Sequence, residues 1–475
     1  MAGLLGPDFT GQEYKALRQG RVPIMTDAAF NQPSPGLTDR LRALLSSKTE
    51  NARSGRNAIF IFMIRVLSAA LVYASQVLLA RWMGAFEFGI FAYVWVWVIV
   101  LGSLTPLGFN TAILRFIPDL TQKREFGLLR GVILRSRMIV AGVGLVVTLT
   151  GTGIVFLLRD YLENYYVLPL VFGLVCVPLY ALAELNEGVA RNYGWSDIAF
   201  LPVYILRPML VLLAMGGITF LGNTPCGLSA LLASILASFL VLVLQTFMLV
   251  RRLNTKIPQA TPEYRSKDWL MISLPILLVE GFYMLLAHID TLMLQLFAPP
   301  EQVGIYFASA KTTGLIGFIY FAVTAVSAHK LAALHARNEK QQFNALVKQI
   351  IHWIFWPSLV ASLGIYILGE PILWLYGPGF TAGYPVMLIL LAGMLIRAAT
   401  GPVEFMLNMT EHQVSTAWVL GITIGINLAL NSFLIPAYGM LGAASGTVAS
   451  IAFSSFMLYL LVRRKLGVNA FILGN

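Results

Sequence analysis

Charged residues are scarce in this 475-residue chain, in which only 12% of the positions are Asp, Glu, Lys or Arg. A soluble domain carries about 25% charged residues. Apolar residues make up 58% of the chain, and its mean hydropathy is +0.76. So little charge beside so much apolar surface excludes a soluble enzyme, a disordered chain and a nucleic-acid-binding protein. The composition predicts a polytopic helical membrane protein.

Cysteine is equally scarce, since Cys176 and Cys226 are the two thiols of the chain. Two are too few for a disulfide framework. The N-terminal segment 1–56 lacks a long apolar run, so the sequence predicts no signal peptide. This segment is polar and basic, and we interpret it as a cytoplasmic tail. Within it, positions 37–45 predict either a short interfacial helix or part of a disordered tail.

Twelve apolar runs are long enough to cross a bilayer, which takes about 17–25 residues. The sequence therefore predicts an all-α integral membrane protein with about twelve transmembrane helices. The predicted spans are residues 57–82, 88–113, 132–158, 166–189, 197–221, 227–250, 269–297, 303–328, 344–369, 383–408, 414–435 and 440–462.

Basic residues are concentrated on one side of these spans. If the N-terminus is cytoplasmic, nearly all of the 33 Lys and Arg residues fall in the tail, in connections after even-numbered spans or at the C-terminal end. Arg81 and Arg159 fall on the opposite side, and four more lie within spans. Because basic residues accumulate on the cytoplasmic side, this bias predicts that both termini are cytoplasmic. It also accounts for the net charge of +11.

The two halves of the chain share short motifs at a nearly constant spacing. Gly-Ile-Phe at positions 89–91 returns as Gly-Ile-Tyr at positions 304–306. Two further motifs return at almost the same spacing, namely Ala-Ser-Ile (233–235 and 449–451) and Val-Arg-Arg (250–252 and 462–464). Each copy of a motif occupies the same place in its half, so the sequence predicts an internal repeat.

Each half holds six spans, an even number, so the two repeats are parallel and enclose a central cavity near the midplane. The predicted organisation is a tail (1–56), a first six-helix bundle (57–250), a cytoplasmic linker (251–268), a second six-helix bundle (269–465) and a cytoplasmic end (466–475).

Several of these motifs resemble those of a known family. The first half contains LARWMGAFEFGIFAY at positions 79–93, and the second contains IDTLML at positions 289–294 and GIYFASA at positions 304–310. The chain resembles the Wzx-type oligosaccharide flippase and polysaccharide-export family. That family belongs to the superfamily that also holds the lipid II flippase and the multidrug and toxin extrusion (MATE) transporters.

The resemblance implies a function, a location and partners. The function is movement of a polyprenyl-diphosphate-linked oligosaccharide from the cytoplasmic to the periplasmic leaflet, for lipopolysaccharide, exopolysaccharide or capsule synthesis. The location is the bacterial inner membrane. The implied partners are that lipid-linked substrate and the polysaccharide polymerase and export machinery, with H⁺ or Na⁺ as a coupling ion. No nucleic acid is expected.

Four cations within the spans are candidates for binding the substrate diphosphate: Arg65, Arg207, Lys311 and Arg397. An ionisable residue inside a membrane usually faces the protein interior or water. Arginine suits diphosphate because its planar guanidinium binds two phosphate oxygens at once. We therefore predict a cationic cavity. The alternative for Arg65 is a side chain that reaches the inner headgroups.

Three acidic residues are candidates for gating or coupling: Glu280, Asp290 and Glu404. Glu280 occupies the repeat position equivalent to that of Arg65, so the two are predicted to form an ion pair across the cleft. Asp290 and Lys311 are predicted to lie at similar depths on adjacent helices, as a functional pair or a structural salt bridge. Glu404, like Glu184 and Glu187, has either a structural role with nearby cations or a coupling role.

Motifs of enzyme chemistry are lacking. The sequence has no Walker-type phosphate loop and no nucleophile or metal constellation, so we expect neither an enzyme nor a cofactor. Two alternatives stay open. One is a proton- or sodium-coupled MATE-type multidrug exporter, which should have an acidic or aromatic cavity. The other is a membrane-embedded polymerase or ligase, which should have a large periplasmic loop.

Overall fold

A computed structural model describes residues 50–475 except 338, 411, 473 and 475. Residues 50–63, 65, 329, 332, 335 and 336 are described by their helical backbone alone. The predicted N-terminal helix at positions 37–45 lies outside the described residues. The chain divides into two compact units, Met1–Met63 and Ile64–Asn475, and the site described below belongs to the second.

The described residues are helical and contain no β-strand. The helices of the first half are α1 (Glu50–Leu104), α2 (Phe109–Gln122), α3 (Phe126–Leu157), α4 (Asn164–Asn192), α5 (Ser196–Leu201), a π-helical turn (Pro202–Leu206), α6 (Arg207–Phe220) and α7 (Gly227–Lys256). Those of the second half are α8 (Ser266–Phe297), α9 (Pro300–Gly314), α10 (Gly317–Ala336), α11 (Lys340–Tyr376), a 3₁₀ turn (Pro378–Gly383), α12 (Tyr384–Thr400), α13 (Val403–Met409), α14 (Gln413–Tyr438) and α15 (Met440–Leu466).

Eleven segments of the described chain are long and apolar enough to cross a membrane. The first of them, Val66–Gln122, has 57 residues. At about 1.5 Å per residue it would extend well beyond a hydrocarbon core of about 30 Å. Gly84 interrupts this helix with φ 77° and ψ 174°. Glycine adopts this conformation because it has no Cβ. The break divides the segment into two crossings, and the prediction of about twelve spans is confirmed.

Three predicted spans are built from shorter helices. The fifth contains the π-helical turn, where the N–H of Arg207 bonds to the carbonyl of Pro202 because Pro208 cannot continue the regular ladder. The eighth breaks between α9 and α10, and the tenth breaks at Gly401, whose φ is +61°. Irregular backbone at membrane depth is tolerated where protein or a cavity surrounds it.

Large apolar side chains remain exposed along the helices, as expected of surfaces that face lipid. Leu213, Phe247 and Val360 are 69%, 63% and 70% exposed. The basic connections lie at one end of the bundle, which we call the basic end. The end that contains Gly84 is called the Gly84 end.

Each half packs mainly within itself. In the first half α4 lies against α2, α3 and α7, and in the second half α15 lies against α12 and α14. The halves meet at the basic end through α8, which contacts α2 and α3. There the guanidinium of Arg130 donates to the carbonyls of Ile257 and Pro258 at 3.1 and 3.0 Å, which holds the linker against the first half.

The halves also meet at the Gly84 end, where two glycines from equivalent repeat positions touch. A Cβ on Gly89 would overlap the carbonyl oxygen of Pro300, and one on Gly304 would lie 3.0 Å from the nitrogen of Gly89. Residues related by a twofold axis approach each other closely only near that axis. The contact of Gly89 with Gly304 therefore agrees with the parallel repeat inferred from their sequence motifs.

We expect Gly89→Ala to destabilise the protein because its methyl group overlaps backbone atoms that cannot move aside. Overpacking of this kind costs about 1–3 kcal/mol. The measurement is the midpoint of thermal unfolding of the purified protein. Gly217→Ala is the control, since a Cβ there meets nothing within 4 Å. Equal midpoints for the two variants would contradict the close contact.

Candidate functional site

A cavity with a volume of 520 Å³ lies mostly within the second half of the chain. It is lined by α1 from the first half and by α8, α9, α10 and α12 to α15 from the second. Its first-half wall is formed by Ala69, Val72, Tyr73 and Gln76 of α1. One helix of the first half thus completes a cavity otherwise lined by the second half, and the Tyr73 hydroxyl lies 2.9 Å from that of Thr312.

Asp290 is the most buried charged residue of the cavity wall, with 5% exposure. Its carboxylate accepts hydrogen bonds from the side-chain amides of Asn427 at 3.0 Å and Asn431 at 2.7 Å. Thr447 lines the same cavity, and its hydroxyl lies 3.2 Å from that of Tyr306. A buried charge is costly unless it is hydrogen-bonded. The three helices α8, α14 and α15 therefore meet around one carboxylate.

Lys311 also lines the cavity, but it does not pair with Asp290 as the sequence predicted. Among the described residues, no carboxylate lies within 4.0 Å of its ammonium group. Instead Nζ lies 4.9 Å from the ring centre of Phe307, one helical turn away. The prediction of an ion pair is wrong, since both amides of α14 donate to Oδ1 of Asp290 and Lys311 lies against Phe307 instead. Lys311 is left as a cation facing the cavity.

Arg397 and Glu404 form an ion pair in the cavity wall, with Nη2 and Oε2 3.0 Å apart. The guanidinium also lies 5.2 Å from the ring centre of Tyr320. The break at Gly401 turns α13 so that its first acidic residue reaches back to α12. Glu404 therefore partners an in-span cation that the sequence analysis treated separately.

Arg207 lies apart from these residues and does not line the cavity. Its guanidinium lies 5.4 Å from the ring centre of Trp95 and 5.5 Å from that of Tyr180. The π-helical turn ends at this residue and directs it into the first half. The predicted set of four cavity cations is thereby divided, with Lys311 and Arg397 in the cavity and Arg207 outside it.

The sequence predicted an ion pair between Arg65 and Glu280, but the side chain of Arg65 lies outside the described part of the chain. Glu280 accepts a hydrogen bond from the hydroxyl of Thr111 on α2. It therefore links the two halves near the basic end.

Glu187 and Arg191 form an ion pair at 3.7 Å. Glu187 also accepts a hydrogen bond from Tyr204 at 3.3 Å. Glu184, one turn earlier, accepts one from the hydroxyl of Ser103 at 3.2 Å. These contacts support the structural role considered for this pair of carboxylates.

An aromatic cluster separates the cavity from the Gly84 end. Phe88 packs against Phe307, Tyr376 and Phe380 with ring centres 6.0, 6.4 and 5.9 Å apart. Tyr73 joins the cluster to the cavity wall, since its ring centre is 5.8 Å from that of Tyr376. The aromatic cluster thus adjoins the cavity through Tyr73.

Several residues of the site were missed by sequence reasoning. Asn427 and Asn431 are one helical turn apart on α14, which places both amides on one helical face. Two amides at that spacing inside an apolar span were the feature of the sequence that could have predicted their place in the site. His288 lines the cavity beside Asp290 but has no periodic partner that would reveal it. The described residues contain no group of three or more His, Cys, Asp or Glu that would hold a metal ion.

The helices and their apolar surfaces define a multi-pass membrane protein. The chain matches the family described as "Polysaccharide biosynthesis protein" over residues 54–328, more than half of its length. It belongs to that family. The resemblance stated from the sequence motifs is confirmed.

Among curated relatives, the chain is 23% identical over 169 residues to a protein of Haloferax volcanii named "Probable low-salt glycan biosynthesis flippase Agl15", covering 35% of this chain and 36% of that protein. The chain thus spans about a third of the length of this relative. This relative is archaeal, so related proteins occur outside bacteria, and the bacterial inner membrane stays a prediction.

Two solved structures share the fold. An inward-facing MATE family transporter aligns with a TM-score of 0.67 and 14% identity, covering 84% of this chain and 94% of that one. The lipid II flippase MurJ in an inward closed conformation aligns with a TM-score of 0.63 and 13% identity, covering 85% and 87%. The predicted fold class is confirmed.

We expect Asn431→Ala to lower the stability of the protein, because the buried carboxylate of Asp290 loses its shorter hydrogen bond. Leaving a buried acceptor with too few donors costs about 1–3 kcal/mol. The midpoint of thermal unfolding measures the loss, with the exposed Asn254→Ala as control. In an Asp290→Leu background the effect of Asn431→Ala should shrink, and an undiminished effect would show that the amide acts elsewhere.

Proposed function

We propose that this protein is a flippase that moves a polyprenyl-diphosphate-linked oligosaccharide across the cytoplasmic membrane for surface polysaccharide synthesis. Membership of the polysaccharide biosynthesis family supports this proposal, as does the relative named as a flippase. The observation that carries it is Lys311, a lysine on the cavity wall whose ammonium group has no carboxylate partner among the described residues.

The diphosphate group is proposed to bind at Lys311 and Arg397. The described cavity wall holds two basic and two acidic side chains, so binding depends on which cations are free of partners. Lys311 can bind a phosphate oxygen without losing a carboxylate partner. Arg397 can do so when a phosphate oxygen replaces the carboxylate of Glu404. Charge-assisted hydrogen bonds of this kind are about twice as strong as neutral ones. Arg65 is proposed to add a further cation from α1.

The orientation proposed for the chain places the basic end in the cytoplasm, as the distribution of Lys and Arg predicts. The halves are proposed to rock about the Gly84 end and the basic end in turn, so that the cavity faces each leaflet alternately. Glu280 and its bond from Thr111 then belong to the contacts that open at the basic end.

Asp290 is proposed as the coupling residue. A carboxylate that lies among amides and hydroxyls of α14 and α15 presents oxygen atoms to H⁺ or Na⁺. Binding of the ion would change the charge at the meeting point of three helices. That change provides a direct means for the ion to bias their packing.

The flippase function is tested by lipid analysis of cells that lack this protein. We expect polyprenyl-diphosphate-linked oligosaccharide to accumulate at least about tenfold over the parent strain. Wild type should restore the normal level and Lys311→Met should not, because the cavity loses its unpaired cation. Lys330→Met is the matched control, since this lysine is exposed. Immunoblots verify equal amounts of each variant in the membrane.

An absence of accumulation in the deleted strain would overturn the proposal. If drug sensitivity appeared instead, the multidrug exporter of the same fold would replace it. Restoration by Lys311→Met would leave the flippase function standing and remove Lys311 from the diphosphate site.

The coupling role is tested on purified protein by ligand-induced stabilisation. An ion that binds the folded state raises the unfolding midpoint. We expect Na⁺ or a decrease in pH to raise the midpoint of wild type, and Asp290→Asn to abolish the response. Asp268→Asn is the control, because Asp268 is exposed on the same helix. A response that survives in Asp290→Asn would place the ion elsewhere.

A further inference from the structure

A second cavity adjoins the first where the eighth span is broken. It has a volume of 290 Å³ and lies between α10, α11 and α12. Gly314, Met394 and Arg397 line both cavities. The two spaces therefore share the residues that surround one end of the Arg397–Glu404 ion pair.

The break in the eighth span creates this space. Between α9 and α10 the backbone makes a tight turn, in which the N–H groups of Leu315, Ile316 and Phe318 each bond to a carbonyl three residues earlier. The turn satisfies its own backbone groups, so it can lie at membrane depth. It also lacks bulk, because a Cβ on Gly314 or Gly317 would meet nothing within 4 Å.

The second cavity differs in chemistry from the first. Apart from Arg397, Ser358 and the Tyr320 hydroxyl, its walls are apolar, with Ile316 from the turn and Ile354 from α11. Its volume is near the lower bound of ligand pockets, roughly 300 Å³. The arrangement is an apolar recess that begins at a guanidinium group, and this suits a molecule with an anionic head and an apolar chain.

We propose that the second cavity receives the part of the substrate's apolar chain nearest the diphosphate. This inference rests on the proposed flippase function, which places the diphosphate at Lys311 and Arg397. A polyprenyl chain is too long for a cavity of 520 Å³ that also holds the head group, so the chain must leave close to the phosphates. Arg397 sets the boundary, with the phosphate on one side and the first isoprene units beside Ile354 on the other.

Binding of two probes to the full chain in nanodiscs tests this site, with empty nanodiscs as baseline. The probes are inorganic diphosphate and farnesyl diphosphate, which carries three isoprene units. We expect wild type to bind farnesyl diphosphate at least about tenfold more tightly, since each buried methylene group adds affinity. Gly317→Leu should remove that gain by occupying the recess, and should leave the affinity for inorganic diphosphate unchanged.

Gly364→Leu is the matched control, because a Cβ at Gly364 also meets nothing and the residue lines neither cavity. Both variants add the same side chain to a helix glycine, so unequal unfolding midpoints would reveal a folding defect. A chain-dependent gain that survives in Gly317→Leu overturns the site. If wild type does not bind diphosphate at all, the proposed head-group site fails, which is a distinct result.

Photolabelling gives a second measurement that does not depend on a measurable diphosphate affinity or on the variants. A farnesyl diphosphate with a diazirine on its chain is irradiated with the protein in nanodiscs. We expect the label on the peptides that contain Tyr320 and Ile354, and competition by unlabelled farnesyl diphosphate. Label found solely on other helices overturns the proposal.

Discussion

Every backbone polar group within a bilayer must find a partner inside the protein, and this constraint governs the whole structure. It accounts for a described chain made of helices, and it makes each interruption informative. The π-helical turn ends at Arg207, the turn after Gly314 opens the second cavity, and the break at Gly401 returns Glu404 to Arg397. Irregular backbone thus occurs where a polar side chain or a cavity is placed.

The packing of the two halves combines backbone, aromatic and polar contacts. At the Gly84 end, Gly89 and Gly304 bring two backbones together where no side chain fits, and the ring of Phe88 packs against those of Phe307, Tyr376 and Phe380. At the basic end Thr111 donates a hydrogen bond to Glu280, and a second close backbone contact joins the halves, since a Cβ on Gly108 would lie 2.3 Å from the carbonyl oxygen of Ser273. Both ends therefore include a contact between backbones, and the basic end adds a polar one.

The charged side chains of the cavity differ in their partners, and the number of charges alone does not describe the site. Asp290 is held by two amides, Arg397 is held by Glu404, and Lys311 faces the cavity without a carboxylate among the described residues. A count of in-span cations from the sequence could not separate these cases. Hydropathy and position along a span give depth, but the partner of a charge depends on which neighbouring helix turns the matching side chain toward it.

The sequence by itself determined the class of protein, the number of crossings and the parallel repeat. These depend on local properties, namely the length and apolar content of each run and the recurrence of motifs such as the one at Gly89. Tertiary structure alone decided that Lys311 and Asp290 have separate partners, that Arg207 lies outside the cavity and that Asn427 belongs to the site. The reason is physical: contacts between helices far apart in the chain depend on how their faces pack, and no local pattern encodes that rotation.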